Sequence, residues 1–333
     1  MSDSIIGGIL CGGLGKRLRP ITDYIPKSLI EIKDNYSILD RQLFQMKYSG
    51  IKRVCLLSGY LHEKIEEKYG TSWNGLKISY SVEEKPGGTL YAINSLLKGF
   101  DSQRYLVMNG DIVTDINIKQ MINQKEKDTV SIAVTKLVSP FGIVELSNGK
   151  ISGFKEKPTL PYYINAGIYV IDASLKDRFL AFDEGAVEKA IFPSLAKEGL
   201  LNYYMEEDTF WQSVDSQKDL EIVKKEFANR VDKPWGYEKR IAIADKYMTT
   251  QFYIMEECSL PLHYHKEKDE TLHVISGEGY IYLDDERIKI GNGDVIHILP
   301  PKKHKIVSKE ALTILSYSTP NMDDYVLSND QET

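Results

Sequence analysis

A stretch near the start of the chain, GGILCGGLGKRLRPITDYIPKSL over residues 7–29, combines five glycines with four basic side chains. Glycines let backbone N–H groups close around an anion, so phosphate binding is the chemistry this composition supports. Two common phosphate loops are excluded. A Walker loop places Leu10 where its first glycine belongs and Arg17 where its hydroxyl belongs. A dinucleotide fingerprint places Leu18 where its third glycine belongs. A third arrangement must account for Arg17, Arg19 and the later Pro26-Lys27. Toward the other end, five of the six histidines (His263, His265, His273, His297 and His304) fall within 42 residues. His263 and His265 form H-x-H, and on a strand both rings point to one face.

The elements that must position these residues follow from periodicity. "SIIGGIL", "RVCLLS", "LKISYS" and "RYLVMNGD" read as buried strands, and "ILDRQLFQMKYSG", "HEKIEEKYG" and "TLYAINSLLKGF" as amphipathic helices between them. Such alternation predicts an α/β layer with a mixed, mostly parallel, Rossmann-like sheet. Its ligands bind beyond the carboxyl ends of the strands. From Thr129 to Val170 the pattern becomes strand-like, which predicts an antiparallel part of the same domain. The helical run "SQKDLEIVKKEFANR" ends near Arg230, and Pro234 cannot continue it. Beyond it every apolar run has period two, which predicts an all-β barrel or sandwich. The predicted domains are residues 1–230 and 231–333, with a loose polar tail from Thr319.

At 333 residues the chain can bury two sizeable cores. Its net charge of −6 argues against a nucleic-acid or anionic-membrane partner, so anion binding must be local. The apolar run Ile5–Cys11 is too short for a signal core or a membrane span. Three scattered cysteines (Cys11, Cys55 and Cys258) read as buried thiols in a reducing compartment, and the expected location is the cytoplasm.

Gly12-Gly13-x-Gly15, then Arg17-Leu18-x-Pro20 and Pro26-Lys27, resembles the G-G-x-G-T-R-L-x-P…P-K signature of the sugar-1-phosphate nucleotidyltransferases. Further segments resemble the same family in order, over nearly all of residues 4–228: "EEKPGGTLYAI", "NGDIVTDI", "FGIVELSNGKISGFKEKP" and "INAGIYVID". The resemblance implies an enzyme joining a nucleoside triphosphate and a sugar 1-phosphate into an NDP-sugar and diphosphate. It implies Gly12, Gly13, Gly15 and Lys16 around the triphosphate, with Lys16 standing where the family usually has Thr. Arg17 would meet the departing pyrophosphate, and Lys27 the sugar phosphate or α-phosphate. Glu83 and Gly88 would face the base. Glu156, Lys157, Asn165 and Gly167 would face the sugar and its phosphate. Asp111 would be the first magnesium ligand. For the second, much of the family has W-x-D, where this chain has Ser213. Relatives that read W-x-x-M-D-T make Asp215 the ligand instead, and Asp215 is the expectation here.

"LPLHYHKEKDETLHVISGEG" has the spacing of a first cupin motif, so the second domain resembles a cupin. That resemblance implies a divalent-metal site (Zn, Mn, Fe or Ni) of His263, His265, Glu270 and His304. The second motif, "GNGDVIHILPPKKH", lacks the usual Gly and is one residue short before His304. His273, an odd number of residues from Glu270, is expected to face outward. "KPWGYEKR" and "HYHKEKDET" resemble cupins related to type II mannose-6-phosphate isomerases, which directs the product expectation to GDP-mannose or a GDP-heptose. Thymidylyl, cytidylyl or uridylyl transfer, a non-catalytic NDP-sugar sensor, and a cupin isomerase as main catalyst remain open. A homo-oligomer is expected.

Overall fold

The structure, a computed structural model, describes residues 3–124, 127–207, 209–320 and 324–327. The chain divides into two compact units, Met1–Val223 and Lys224–Thr333. No described helix is long and apolar enough to cross a membrane.

In the first unit the four apolar runs become the strands Asp3–Leu10, Arg53–Ser58, Leu76–Val82 and Ser102–Asn109. They pair in parallel, with Asp3–Leu10 between Arg53–Ser58 and Ser102–Asn109, and Leu76–Val82 beyond Arg53–Ser58. The intervening helices are Ile38–Tyr48, His62–Tyr69 and Gly88–Gly99. The antiparallel part expected after Thr129 joins the same eight-stranded sheet. Thr159–Asp172 pairs antiparallel with both Ser102–Asn109 and Val130–Val138, and Leu201–Tyr204 closes that edge in parallel. The hairpin of Ile143–Ser147 and Lys150–Lys155 stands outside the sheet.

The sheet buries both faces, which is why its parallel strands are apolar without alternation. On one side Leu39, Leu43, Met46 and Ile65 cover it; on the other Leu90, Ile93, Leu96, Leu97 and Phe179. Side chains of this size contribute about 1.5–3 kcal/mol each when removed from water. The helix Ile38–Tyr48 starts with a capping box, Ser37 with Asp40, and then buries polar as well as apolar residues. Arg41 donates to the Thr114 carbonyl at 2.9 Å and to the Asp115 carboxylate at 2.8 Å. Gln42 donates to the carbonyls of Asn109 and Ile112, at 2.7 and 3.0 Å. Gln45 reaches the Ile116 carbonyl. One helix face thus binds the segment 109–116 that leaves the sheet and carries Asp111.

The second unit is antiparallel throughout its pairings and forms two sheets, of six and five strands. Alternating burial, as over residues 270–274 and in Glu278–Leu283, sends Leu272, Val274, Ile281 and Leu283 into the core between them. Trp235 is buried in that core. The helix read as ending near Arg230 spans Gln217–Phe227, and Arg230 opens the strand Arg230–Lys233. The loose tail from Thr319 is corrected in part. Tyr325–Leu327 is a strand, paired antiparallel with His263–His265, so hydrogen bonding orders a segment whose composition is polar. Residues 321–323 and 328–333 of that expectation lie outside the described residues.

The buried Arg41–Asp115 pair generates a stability prediction, because both side chains are less than a tenth exposed. Arg41→Met weakens the anchoring of a buried carboxylate and lowers the stability of the first unit by about 3 kcal/mol. Urea unfolding reads the change, and a loss below about 1 kcal/mol contradicts an anchoring role for this pair.

Candidate functional site

The carboxyl ends of the parallel strands open on a cavity of about 430 Å³. The loop after the first strand contributes Gly12, Gly13, Gly15, Lys16 and Arg17 to its wall, and the segment after it Lys27. Glu83 follows the strand Leu76–Val82, and Gly88 starts the next helix. Asp111 leaves the strand Ser102–Asn109, and Asp215 precedes the helix Gln217–Phe227. All ten of these sequence-predicted residues line the one cavity.

Asp111 and Asp215 converge on a single cation. The Lys27 ammonium lies 2.6 Å from Asp111 Oδ2 and 2.8 Å from Asp215 Oδ1. The exposed Arg17 guanidinium meets the same Asp215 oxygen at 2.7 Å. Two short strands bring these acids together: Trp211–Ser213 pairs antiparallel with Ile112–Thr114, and the Val214 amide donates to the Asp111 carbonyl at 2.9 Å. Gly110 permits the approach from the other side. A Cβ there would stand 2.3 Å from the Leu10 carbonyl oxygen, inside any allowed contact.

Asp215, and not Ser213, stands beside Asp111. The Ser213 hydroxyl donates to Asp215 Oδ2 at 3.0 Å. Helix capping falls to neighbours: Ser216 and Asp219 form reciprocal hydrogen bonds, and Asp219 also accepts from the Asp215 amide. The Asp215 carboxylate is therefore free to face the cavity. Partial burial raises its pKa, but the Lys27 ammonium, the Ser213 hydroxyl and the Arg17 guanidinium together hold it below the usual carboxylate range. The two carboxylates at one point are a donor set that fits a hard divalent cation such as magnesium.

Four predicted residues are not in the cavity wall. Glu156 and Lys157 pair with one another at 2.8 Å, largely exposed, just after the hairpin. Gly167 packs against Asn109, where a Cβ would meet the Asn109 amide at 2.8 Å. Asn165 turns back on its own strand, accepting from the Gly167 amide and donating to the Tyr169 hydroxyl at 2.9 Å. That hydroxyl reaches Glu188, which also accepts from Thr89 of the cavity wall.

Several participants were missed in the sequence. Arg41, Gln42 and Gln45 occupy one buried helix face, a polar interruption visible in "ILDRQLFQM". The capping box of Ser216 and Asp219 was legible as S-x-x-D before a helical run. Glu188, in "GAVEKAIF", carried no local signal.

In the second unit His263, His265 and His304 are buried, with one nitrogen from each ring within 4.8 Å of the others. Each Nδ1 is tied to a main-chain carbonyl: Pro261, Asp324 and Lys302 respectively. This fixes Nδ1 as the donor and turns Nε2 toward the centre, where a metal ligand needs its lone pair. Glu270 Oε2 lies 3.7 Å from His265 Nε2 and 3.6 Å from His304 Nε2. Burial, with His304 beside it, pushes the His263 pKa down to about 3, so the ring is neutral. Burial raises Glu270, but His304, Lys268 and the Ser316 hydroxyl hold it down to about 2. The four side chains fit a divalent transition metal. The strand Tyr325–Leu327 adds to this centre, since the Tyr325 ring stacks on His263 at 4.4 Å. His273 lies on the opposite face of its strand from Glu270, and the exposed His297 pairs with Asp269.

This arrangement, a glycine-walled anion cavity with paired carboxylates followed by a β-domain with a histidine centre, agrees with comparison to known proteins. The Nucleotidyl transferase family profile matches residues 6–230, and the Cupin domain profile residues 252–317. The chain belongs to the nucleotidyl transferase family and carries a C-terminal cupin domain. It is 33% identical over 224 residues to mannose-1-phosphate guanyltransferase beta-A of Xenopus laevis, covering 64% of this chain and 61% of the relative. It is 32% identical over 195 residues to D-glycero-alpha-D-manno-heptose 1-phosphate guanylyltransferase of Aneurinibacillus thermoaerophilus, covering 54% and 83%. The chain thus spans about three fifths of the length of the mannose-1-phosphate relative. Among solved structures, a putative glucose-1-phosphate thymidylyltransferase from Bacillus anthracis aligns with a TM-score of 0.57 at 22% identity, covering 69% of this chain and 98% of that one. HddC from Yersinia pseudotuberculosis aligns at 0.54 and 21%, covering 67% and 99%. These two likenesses support the fold.

Lys27→Met removes the cation between the two carboxylates and, with it, the interaction that lowers Asp215. A carboxyl with a lowered folded pKa stabilises the fold above its unfolded value and loses that contribution as pH falls. Lys27→Met is therefore most destabilising near neutral pH, and its melting temperature approaches wild type only as pH falls below about 4, toward the lowered folded pKa of Asp215. Thermal melts across that range check it; a pH-independent difference contradicts the assignment of Lys27 as the partner that holds Asp215 ionised.

Proposed function

We propose that this chain transfers a guanylyl group from GTP to a mannose- or heptose-type sugar 1-phosphate, giving a GDP-sugar and diphosphate. The observation that carries the reading is the meeting of Asp111, Asp215 and Lys27 at one point of a glycine-walled cavity. Family membership supports the reaction class, and the names of the relatives support the base and the sugar.

In this reading a phosphate oxygen of the sugar 1-phosphate attacks the α-phosphorus in line, and the bond to the departing diphosphate breaks. The attacking oxygen is already anionic, so no general base is required and positioning and charge neutralisation carry the rate. Bound magnesium supplies neutralisation of the triphosphate charge, held by Asp111 and Asp215. Gly12, Gly13, Gly15 and Lys16 cradle the phosphates, and Arg17 stabilises charge growing on the leaving diphosphate. Lys27 meets the α-phosphate or the sugar phosphate. Glu83 and Gly88 take the base side; Glu156, Lys157, Asn165 and Gly167 take the sugar side. We propose residues 1–230 as the transferase domain and 231–333 as the cupin domain. The unpaired cysteines accord with a reducing cytoplasm, and a homo-oligomer is the proposed assembly.

Diphosphate release, measured over the four nucleoside triphosphates and dTTP with a panel of sugar 1-phosphates, tests the reading. Turnover is expected to be highest with GTP and a mannose- or heptose-type acceptor. Asp111→Asn lowers kcat by about 100-fold or more, since charge at the reacting phosphorus goes unneutralised. Ser213→Ala is much milder. Residues 1–230 expressed alone retain transfer. Near-normal turnover in Asp111→Asn removes the assignment, and absence of diphosphate release with every pair favours a sensor.

We further propose that the cupin domain binds a divalent transition metal through His263, His265, Glu270 and His304. Elemental analysis of protein prepared without a histidine tag is expected to find close to stoichiometric metal, lost in a His263→Ala/His265→Ala variant. Equal, negligible metal in both leaves the domain a structural barrel.

A further inference from the structure

Two of the four side chains at the histidine centre, His263 and His265, lie on the strand Ser259–His265. That strand is only partly held by the neighbour carrying His304. Its pairing with His304–Ser308 sets Ser259 opposite Val307, Leu260 opposite Ile306 and His263 opposite His304, and goes no further. Among the described residues, His265 finds its ladder partner on the other side alone. There Tyr325 faces His265, Val326 faces Tyr264 and Leu327 faces His263. Tyr325–Leu327 is the outermost strand of its five-stranded sheet, so without it the strand bearing two ligands would be the edge.

The loop from His265 to Glu270 is held by the same part of the chain. The Asp324 carboxylate accepts from three consecutive amides, those of Lys266, Glu267 and Lys268, at 2.8, 2.7 and 2.7 Å. Hydrogen bonds to an ionised acceptor are about twice as strong as neutral ones. The remaining loop amide, of Asp269, donates to the Thr319 hydroxyl at 3.2 Å, and the Thr319 amide donates back to the Asp269 carbonyl at 3.1 Å. Asp324 also sets a ring. Its carbonyl lies 3.0 Å from His265 Nδ1, which places the proton there and leaves the Nε2 lone pair for a metal. The half-exposed Tyr325 stacks on the buried His263 and covers one face of it.

We propose that residues 324–327 form a clasp coupled to the metal: its docking strengthens metal binding at His263, His265, Glu270 and His304, and bound metal strengthens its docking. Asp324 is the positioning residue, acting through His265 and the loop 266–269. This rests on the metal-binding reading of the cupin domain given above. The coupling is reciprocal by linkage, so the factor that the docked clasp adds to metal affinity is the factor that metal adds to docking.

Cobalt(II), added to the 333-residue chain after metal is stripped, tests the clasp, since its visible spectrum reports both occupancy and ligand set. Asp324→Ala is expected to weaken cobalt binding by about 10- to 100-fold, the cost of losing the group that orients a ligating histidine, and to alter the bound spectrum. Asp324→Asn, which keeps one acceptor oxygen, is expected to recover part of that loss. In wild type, hydrogen exchange at residues 325–327 is expected to slow by a similar factor when cobalt binds. The exchange measurement needs no variant and decides the matter should Asp324→Ala fail to fold. Unchanged cobalt affinity in a folded Asp324→Ala, or exchange at 325–327 unaffected by cobalt, overturns the clasp and leaves the four-ligand centre standing. A wild type that takes up no cobalt overturns the metal reading, and the clasp with it.

Discussion

Two carboxylates 104 positions apart in the chain share one ammonium group, and the site depends on the short ladder that makes this possible. Like charges this close repel, so Asp111 and Asp215 can stay together only around a cation. Lys27 occupies that point. The pairing of Ile112–Thr114 with Trp211–Ser213 sets the distance between the acids, and backbone hydrogen bonds make it rigid. The buried face of the helix Ile38–Tyr48 holds the other side of the same segment through Arg41, Gln42 and Gln45. Holding the segment at several carbonyls and one carboxylate, these donors restrict its movement relative to the helix.

From this fixed point the cavity runs across the carboxyl ends of four neighbouring strands. Its charged end holds Lys27, Arg17 and the two aspartates, while Glu83 stands three strand spacings away over bare backbone. A parallel sheet favours such a layout because every strand delivers its following loop to the same edge. The proposed sugar-side residues lie outside the cavity wall, on the antiparallel strand Thr159–Asp172 and just after the exposed hairpin before it. Asn165 is tied through Tyr169 and Glu188 to Thr89, so that one hydrogen-bonded chain links the strand Thr159–Asp172 to the cavity wall.

The second unit solves a related problem with neutral donors. Three rings that each bond a carbonyl through Nδ1 must present Nε2 inward, and burial keeps His263 unprotonated. The second motif, one residue short, nonetheless delivers His304 to the centre, because His304–Ser308 pairs with Ser259–His265 and sets His304 opposite His263. Tyr325 comes from the last described strand and the Asp324 carbonyl from the residue before it, so a segment some 60 residues downstream of His265 helps to build the centre.

Local periodicity and spacing were enough to read the alternation of strands and helices, the glycine-rich loop, the change to period two beyond Pro234, and the shared face of His263 and His265. Each of these is written within a few residues, where side-chain direction follows from the backbone repeat. The tertiary structure decided what depends on remote pairing. Whether Ser213 or Asp215 meets Asp111 is set by the register of a two-stranded ladder and by Ser216 taking the cap. The strand Tyr325–Leu327 looked like tail because its partner lies some 60 residues earlier. The inward face of Arg41, Gln42 and Gln45 contradicts its own polarity until the carbonyls of 109–116 are placed beside it. Sequence patterns state which residues can bury or bind; only long-range backbone hydrogen bonding states which of them meet.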